Sequence, residues 1–202
     1  MRLHVTLTSP YARMTRVALI EHKLQSQVAV VEARTREINS PYYAISPSGR
    51  VPFLETGDGL ALEESEVICA YFDAIGSGPA LVLPLATERW RYAELYTRAH
   101  SYLDGIAVWG RELRRPPCDR SQTVIDHEEA RAARLARWWQ GAIGHPLMNG
   151  NLNTAQMALY CAFDAVGIYI GEDATASYPA LAAWRARLAE QPSFAATTPP
   201  LR

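Results

Sequence analysis

Hydrophobic positions change their spacing about a third of the way along the chain. Up to about residue 76, short apolar runs at 3–7 and 28–32 alternate with turn residues and short helical patterns, which is typical of an α/β domain. Beyond that point, apolar residues recur at helical spacing almost throughout. The pattern predicts an α/β domain over residues 1–76, a Gly- and Pro-rich linker over 77–86 and an all-helical domain over 87–202.

Turn and capping residues predict the order of elements in the first domain. Strands are expected at 3–7 and 28–32, and Ser9 followed by Pro10 indicates a helix between them, capped by the serine. The runs at 51–55 and 60–63 flank an Asp-Gly pair, a strong signal for a β-hairpin. A further helix is expected to begin at Glu64-Ser65, with inward apolar residues Val67, Ile68, Tyr71, Phe72 and Ile75.

The second domain reads as a series of helices. Long helices are predicted at 87–115, which ends before Pro116, and at 121–143. Asn153 with Gln156 three residues later resembles a capping box before an almost uncharged run, which predicts a helix buried on all sides. The last long helix is expected at 178–190.

Composition and charge exclude several classes of partner. Of the 202 residues, 49% are hydrophobic, and 20 basic residues balance 21 acidic ones, so no net field would gather nucleic acid. No stretch of 18 apolar residues occurs, and the apolar run at the start is too short for a secretory signal, so a cytosolic protein without a membrane partner is expected. Cys69, Cys118 and Cys161 form no CxxC motif, and the five histidines show no ligand spacing, so no metal site is expected.

Four sequence segments carry a resemblance to a known family. They are TSPYAR at 8–13, SPSGRVPFL at 46–54, LEESEVI at 62–68 and YPALAAW at 178–184. Together, and in this order, they resemble the cytosolic glutathione transferases, in a bacterial type with serine at the thiol-activating position. The resemblance implies a thioredoxin-like domain followed by a helical bundle, a homodimer, glutathione as co-substrate and a role in detoxification.

The resemblance implies that the Ser9 hydroxyl activates the thiol of glutathione. Lowering a thiol pKa from about 8.5 by two units requires roughly 2.7 kcal/mol, and a hydrogen bond to a charged group contributes about 1.5–3 kcal/mol. The alternative is that Ser9 only caps its helix. Thr8 is the first substitute as donor, because a register error of one residue would exchange the two.

Further residues are assigned to glutathione by the same resemblance. Val51-Pro52 matches the family's cis-proline turn, whose backbone pairs with the cysteinyl part, although a proline at the start of an edge strand is the ordinary interpretation. Ser65 at a helix start suits a carboxylate, and Glu64 suits an ammonium group, unless both merely cap the helix. Arg50 is expected to assist with a glutathione carboxylate.

The second substrate is expected to be a small apolar electrophile bound between the domains. The resemblance suggests an apolar wall there, although aromatic residues at helical spacing are more often core. The residues of this wall would be Tyr11, Tyr102, Ile106 and Trp109. The expected reaction is conjugation of the glutathione thiolate to the electrophile; a glutathione-dependent isomerase and a non-catalytic binding or regulatory protein of the same fold are the alternatives.

Overall fold

The computed structural model describes residues 1–82 and 88–200, and the described chain divides into two compact units. The first unit contains Met1–Val82 together with Ser193–Pro200, and the second contains residues 88–192. The first unit therefore runs past residue 76 and also includes residues from the end of the chain. Part of the predicted linker, residues 83–86, and the predicted start of the long helix at Thr87 lie outside the described residues.

A four-stranded mixed sheet forms the centre of the first unit. Its order is β2-β1-β3-β4, with β1 and β2 parallel and the other neighbouring pairs antiparallel. The strands are β1 (Arg2–Val5), β2 (Ala29–Glu32), β3 (Phe53–Glu55) and β4 (Ala61–Glu63). This is the thioredoxin-like arrangement that the resemblance implied. The predicted strand-helix-strand unit and the hairpin are confirmed.

Two predicted helices pack in the first unit, and each begins where the sequence placed it. Helix α1 (Pro10–Glu21) connects β1 to β2 and buries Met14, Val17 and Ala18. Helix α2 (Ser65–Ile75) follows β4 and buries Ile68 and Phe72. The prediction that Val67 and Ile75 face inward is wrong, since they are 50% and 38% exposed. A helix of this kind covers the core with one face only; Ser65, Ile68, Cys69 and Phe72 form that face, and Val67 and Ile75 lie outside it.

The second unit is entirely helical, as predicted. Its helices are α3 (Arg89–Leu113), α4 (Gln122–Ala142), α5 (Pro146–Asn149), α6 (Thr154–Tyr169) and α7 (Pro179–Ala189). Helix α6 packs against α3 and is buried along almost its whole length, which confirms the prediction from its uncharged sequence. A last short helix, α8 (Pro192–Ala196), follows, and from Ser193 onward its residues belong to the first unit. Over the described part of the chain, no helix combines the length and the hydropathy needed to cross a membrane.

Asn153 begins α6 as predicted, but Gln156 plays a different part. The Asn153 side-chain oxygen accepts from the N–H groups of Ala155 and Gln156, at 3.1 and 3.2 Å. The Gln156 side-chain amide donates to the carbonyl oxygens of Leu147 and Asn151, at 2.9 and 3.0 Å. Gln156 therefore anchors the loop that precedes the helix.

Candidate functional site

Three loops of the first unit meet at one edge of the sheet. His4 of β1 is paired with Phe53 of β3, and Phe53 is paired with Glu63 of β4. Because these are antiparallel pairs, the residues after β1, before β3 and after β4 lie at the same edge. These residues include Ser9, Val51, Pro52, Glu64 and Ser65. The strand register thus brings the main predicted site residues to one edge of the sheet.

Ser9 forms the N-cap of α1 and keeps a proton to donate. Its backbone is extended, with φ −76° and ψ 121°, and its Oγ accepts the N–H of Ala12 at 3.2 Å. That bond uses a lone pair of Oγ, whereas the hydroxyl proton remains available to a further acceptor. Capping and thiol activation, the two alternatives from sequence, are therefore compatible in one hydroxyl group. The positive end of the helix dipole favours an anion at this position.

The Val51–Pro52 peptide bond is cis, which confirms the prediction made from the resemblance. The β1–β3 pairing ends at the pair His4–Phe53, so the backbone of Val51 lies beyond the last pair of that ladder. Its N–H and C=O groups are not needed for strand pairing. They suit a ligand that has a peptide group of its own.

Tyr42 is hydrogen-bonded to the backbone of Arg50, which directly precedes Val51. The sequence pattern did not predict this contact. The buried Tyr42 hydroxyl donates to the carbonyl oxygen of Arg50 at 2.5 Å, and its ring lies edge-on to Phe53 with the centroids 6.5 Å apart. Burial raises the pKa of Tyr42, so the phenol keeps the proton that it donates. The Arg50 side chain is exposed, and its role toward a carboxylate stays a prediction.

The start of α2 combines an unusual backbone with an unsatisfied polar group. Glu64 has φ 67° and ψ 127°, and its side chain makes no capping hydrogen bond. Ser65 is 2% exposed, and its Oγ has no hydrogen-bond partner among the described residues. A non-glycine residue at positive φ and a buried hydroxyl without a partner are both unfavourable, and such features concentrate at binding sites. The simple capping alternative for Ser65 does not account for its side chain.

Two arginines at the same edge were not singled out from the sequence. Arg34 and Arg36 follow β2, which runs parallel to β1, so their loop also lies at the edge where β1 ends. Both side chains are exposed, and the backbone N–H of Arg36 donates to the Tyr43 hydroxyl at 2.8 Å. They add positive charge at this edge of the sheet. The sequence signal that could have identified them is the presence of two basic residues in the loop after a strand parallel to β1.

The residues predicted to form an apolar wall differ in their exposure. Tyr11 in the first turn of α1 is half-buried, whereas Tyr102, Ile106 and Trp109 of α3 are buried. The Tyr102 ring lies edge-on to Phe163 of α6, with the centroids 5.6 Å apart, and burial raises its pKa well above the usual range. The α3 residues therefore contribute to the core of the helical unit, and their contact with a substrate stays a prediction.

Comparisons with known proteins agree with this geometry. A family described as "Glutathione S-transferase, N-terminal domain" matches residues 8–75, which contain every predicted site residue of the first unit. The uncharacterized GST-like protein YibF of Escherichia coli (strain K12) is 23% identical over 202 residues, covering 99% of both chains.

Solved structures extend the similarity to the whole chain. A glutathione transferase family member from Pseudomonas fluorescens Pf-5, crystallised with bound glutathione, is 25% identical with a TM-score of 0.90, covering 99% of both chains. A glutathione S-transferase from Methylobacillus flagellatus KT, also with glutathione bound, is 26% identical with a TM-score of 0.88 over 98% of this chain and 99% of the other. Both units of the chain therefore have counterparts in these structures.

Proposed function

Because the chain belongs to the glutathione transferase family, we propose that it binds glutathione and transfers the thiolate to a small apolar electrophile. The binding site is the sheet edge where Ser9, Val51-Pro52 and Glu64-Ser65 meet. The observation that carries the proposal is the buried Ser65 hydroxyl without a partner among the described residues, at the start of a helix. Similar structures that hold glutathione support it further.

The γ-glutamyl end of glutathione fits the start of α2. Its α-carboxylate accepts hydrogen bonds from the Ser65 hydroxyl and from backbone N–H groups of the first helical turn, in the favourable field of the helix. Its ammonium group pairs with the exposed carboxylate of Glu64. The positive φ of Glu64 supports the same role. Residues in this unfavourable backbone conformation are concentrated at binding sites.

The cysteinyl and glycyl parts continue along the sheet edge. The backbone of Val51 pairs with the cysteinyl peptide group, Pro52 fixes the turn, and Arg50 attracts a carboxylate of glutathione. The Ser9 hydroxyl donates to the thiolate sulfur, and this hydrogen bond together with the helix dipole supplies most of the roughly 2.7 kcal/mol needed to lower the thiol pKa by about two units.

The chemical step is a displacement at carbon. The thiolate sulfur attacks the electrophilic carbon, a C–S bond forms, and the bond to the leaving group breaks with its electron pair. The thiol proton has already passed to solvent, and the Ser9 proton stays on its oxygen. Tyr11, Tyr102, Ile106 and Trp109 are proposed to bind the apolar part of the electrophile.

A homodimer in the cytoplasm completes the proposal. Val67 and Ile75 on α2 and Leu60 beside β4 are apolar and at least one-third exposed. Large apolar residues exposed on neighbouring elements are typical of a surface covered by another copy. Light scattering of the purified protein tests this part, and a monomer at micromolar concentration would contradict it.

The test is glutathione binding by calorimetry, combined with the thiolate absorbance of the bound ligand against pH. We expect binding with a thiol pKa about two units below 8.5 in the wild type, and a value close to 8.5 in Ser9→Ala. Thr8→Val is the matched control, because it removes a neighbouring hydroxyl and is expected to leave the thiol pKa low.

Three outcomes would redirect the proposal. Binding with an unshifted thiol pKa favours the non-catalytic binding protein, and a loss of the shift in Thr8→Val alone makes Thr8 the donor. Turnover of an unsaturated substrate without net consumption of glutathione identifies the isomerase instead.

A further inference from the structure

Residues near the end of the chain pack against α1, the helix that Ser9 caps. Residues 194–200, here called the C-terminal strap, belong to the first unit, although the whole helical unit precedes them in sequence. Phe194 and Thr197 of the strap are buried. Because these side chains are buried in the first unit, the strap is an integral part of it.

Arg13 is the main link between the strap and α1. Its side chain is 1% exposed, and its guanidinium donates to the carbonyl oxygen of Phe194 at 3.1 Å and to the Thr197 hydroxyl at 3.4 Å. The guanidinium carbon lies 5.9 Å from the centroid of the Phe194 ring. One helical turn further on, Arg16 donates to the Thr197 carbonyl oxygen at 3.4 Å. The rigid fork of a buried guanidinium fixes the positions of the groups that it contacts.

The same residue also holds the first turn of α1. The backbone N–H of Arg13 donates to the carbonyl oxygen of Ser9 at 2.9 Å, next to the bond from the Ala12 N–H to the Ser9 hydroxyl. The first turn of a helix is the part that frays most readily. A group that must meet a reacting atom has to be held within about 0.5 Å of its position, so fraying at this turn would misdirect the hydroxyl.

We propose that Arg13 is a positioning residue, through which the C-terminal strap fixes the first turn of α1 and the direction of the Ser9 hydroxyl. The inference rests on the function proposed for Ser9. Under this inference, residues 194–200 help to orient the Ser9 hydroxyl, although the helical unit separates them from it in sequence.

The experiment compares Arg13→Gln with Arg185→Gln. Arg185 of α7 is a half-buried arginine of the helical unit that donates to Asp164 at 2.8 Å, so its loss is a matched control for general destabilisation. We expect Arg13→Gln to raise the pKa of the bound glutathione thiol by about one unit, and to speed hydrogen exchange of the Ala12 and Arg13 amides about tenfold. Arg185→Gln is expected to lower the thermal midpoint without either effect.

The inference is overturned if Arg13→Gln lowers the thermal midpoint but leaves the thiol pKa and the exchange of both amides as in Arg185→Gln. If the wild type itself shows no lowered thiol pKa, the proposed function of Ser9 fails. In that case amide exchange alone decides whether Arg13 fixes the turn: selective acceleration supports the inference, and its absence overturns it.

A milder variant keeps the test open if Arg13→Gln does not fold. Thr197→Val removes the hydroxyl that accepts from Arg13 and preserves the size of the side chain. Its control is Thr175→Val, a buried threonine of the helical unit whose hydroxyl donates to Asp173 at 2.8 Å. Faster exchange of the Ala12 and Arg13 amides in Thr197→Val only is expected, and equal exchange in both variants overturns the inference.

Discussion

Replacing Ser65 with alanine is expected to stabilise the fold and to weaken glutathione binding. The Ser65 hydroxyl is buried, and nothing in the described chain hydrogen-bonds to it. A buried polar group without a partner costs about 1–3 kcal/mol, so its removal should raise the free energy of unfolding by about 1 kcal/mol. In a chain of this length, that gain corresponds to a thermal midpoint about 2–4 °C higher.

The same substitution should weaken glutathione binding while it stabilises the fold. A hydrogen bond from a hydroxyl to a carboxylate contributes about 1.5–3 kcal/mol, so the dissociation constant for glutathione should increase roughly 10- to 100-fold. Thermal unfolding without ligand gives the first quantity, and calorimetric titration with glutathione gives the second. The opposite signs separate loss of a ligand contact from general damage, which would lower stability and affinity together.

Ser193→Ala provides the matched control. Ser193 also has a buried hydroxyl without a partner in the described chain, and it belongs to the same unit. The proposed glutathione site does not include it, so its replacement should raise the thermal midpoint similarly and leave affinity unchanged. A lower midpoint in Ser65→Ala combined with unchanged affinity would refute the role assigned to this hydroxyl.

Three further changes test the packing, the acid response and the proposed dimer. In Gly110→Ala the new Cβ would lie 2.6 Å from the Cβ of Tyr169. The cost of this overpacking should exceed the gain in helix propensity, so the free energy of unfolding should fall by about 1–2 kcal/mol. Calorimetry at a temperature below thermal unfolding should give an unchanged affinity for glutathione. The hydrogen bond from His4 lowers the pKa of Glu55, so Glu55 stabilises the fold above the unfolded-state pKa of about 4.3 and loses this effect as pH falls through its folded-state pKa. Glu55→Gln should therefore be less stable than the wild type at pH 7 and equally stable in strong acid, and a difference in midpoint that persists at pH 2 would contradict this assignment. Val67→Arg should shift the dimer toward monomer in light scattering, and an unchanged mass would exclude the α2 surface from the interface.

Local signals in the sequence predicted the elements well, because each depends on neighbouring residues. The helix after Ser9 and the hairpin around Asp58-Gly59 follow from capping and turn chemistry that spans only a few positions. The inward face of α2 was predicted less well. Apolar spacing identifies the helix, but which apolar residues become buried depends on what covers them, as the exposed Val67 shows.

The sequence proposes the residues of the candidate site, and the folded structure adds their physical state. The strand register that brings the loops together follows from the predicted topology, whereas the positive φ of Glu64 and the missing partner of Ser65 depend on the folded backbone. The contact between Arg13 and Phe194 spans 181 positions. No local pattern marks such a contact, since each residue alone is an ordinary member of a helix.

Three helix starts differ in how much of their side-chain hydrogen-bonding capacity the fold uses. Asn153 uses its side-chain oxygen for two backbone N–H groups and its side-chain nitrogen for the carbonyl oxygens of Leu147 and Asn151, so its hydrogen-bonding capacity serves the fold. Ser9 uses one lone pair for its helix and retains a proton, whereas neither the donor nor the acceptor of Ser65 is used within the described chain. Serine and asparagine both favour helix starts, so the sequence does not distinguish the three positions. The unused hydrogen-bonding capacity distinguishes them, because a buried group that the fold leaves unsatisfied gains most from a ligand. Ser65 is therefore the most informative position for a first substitution.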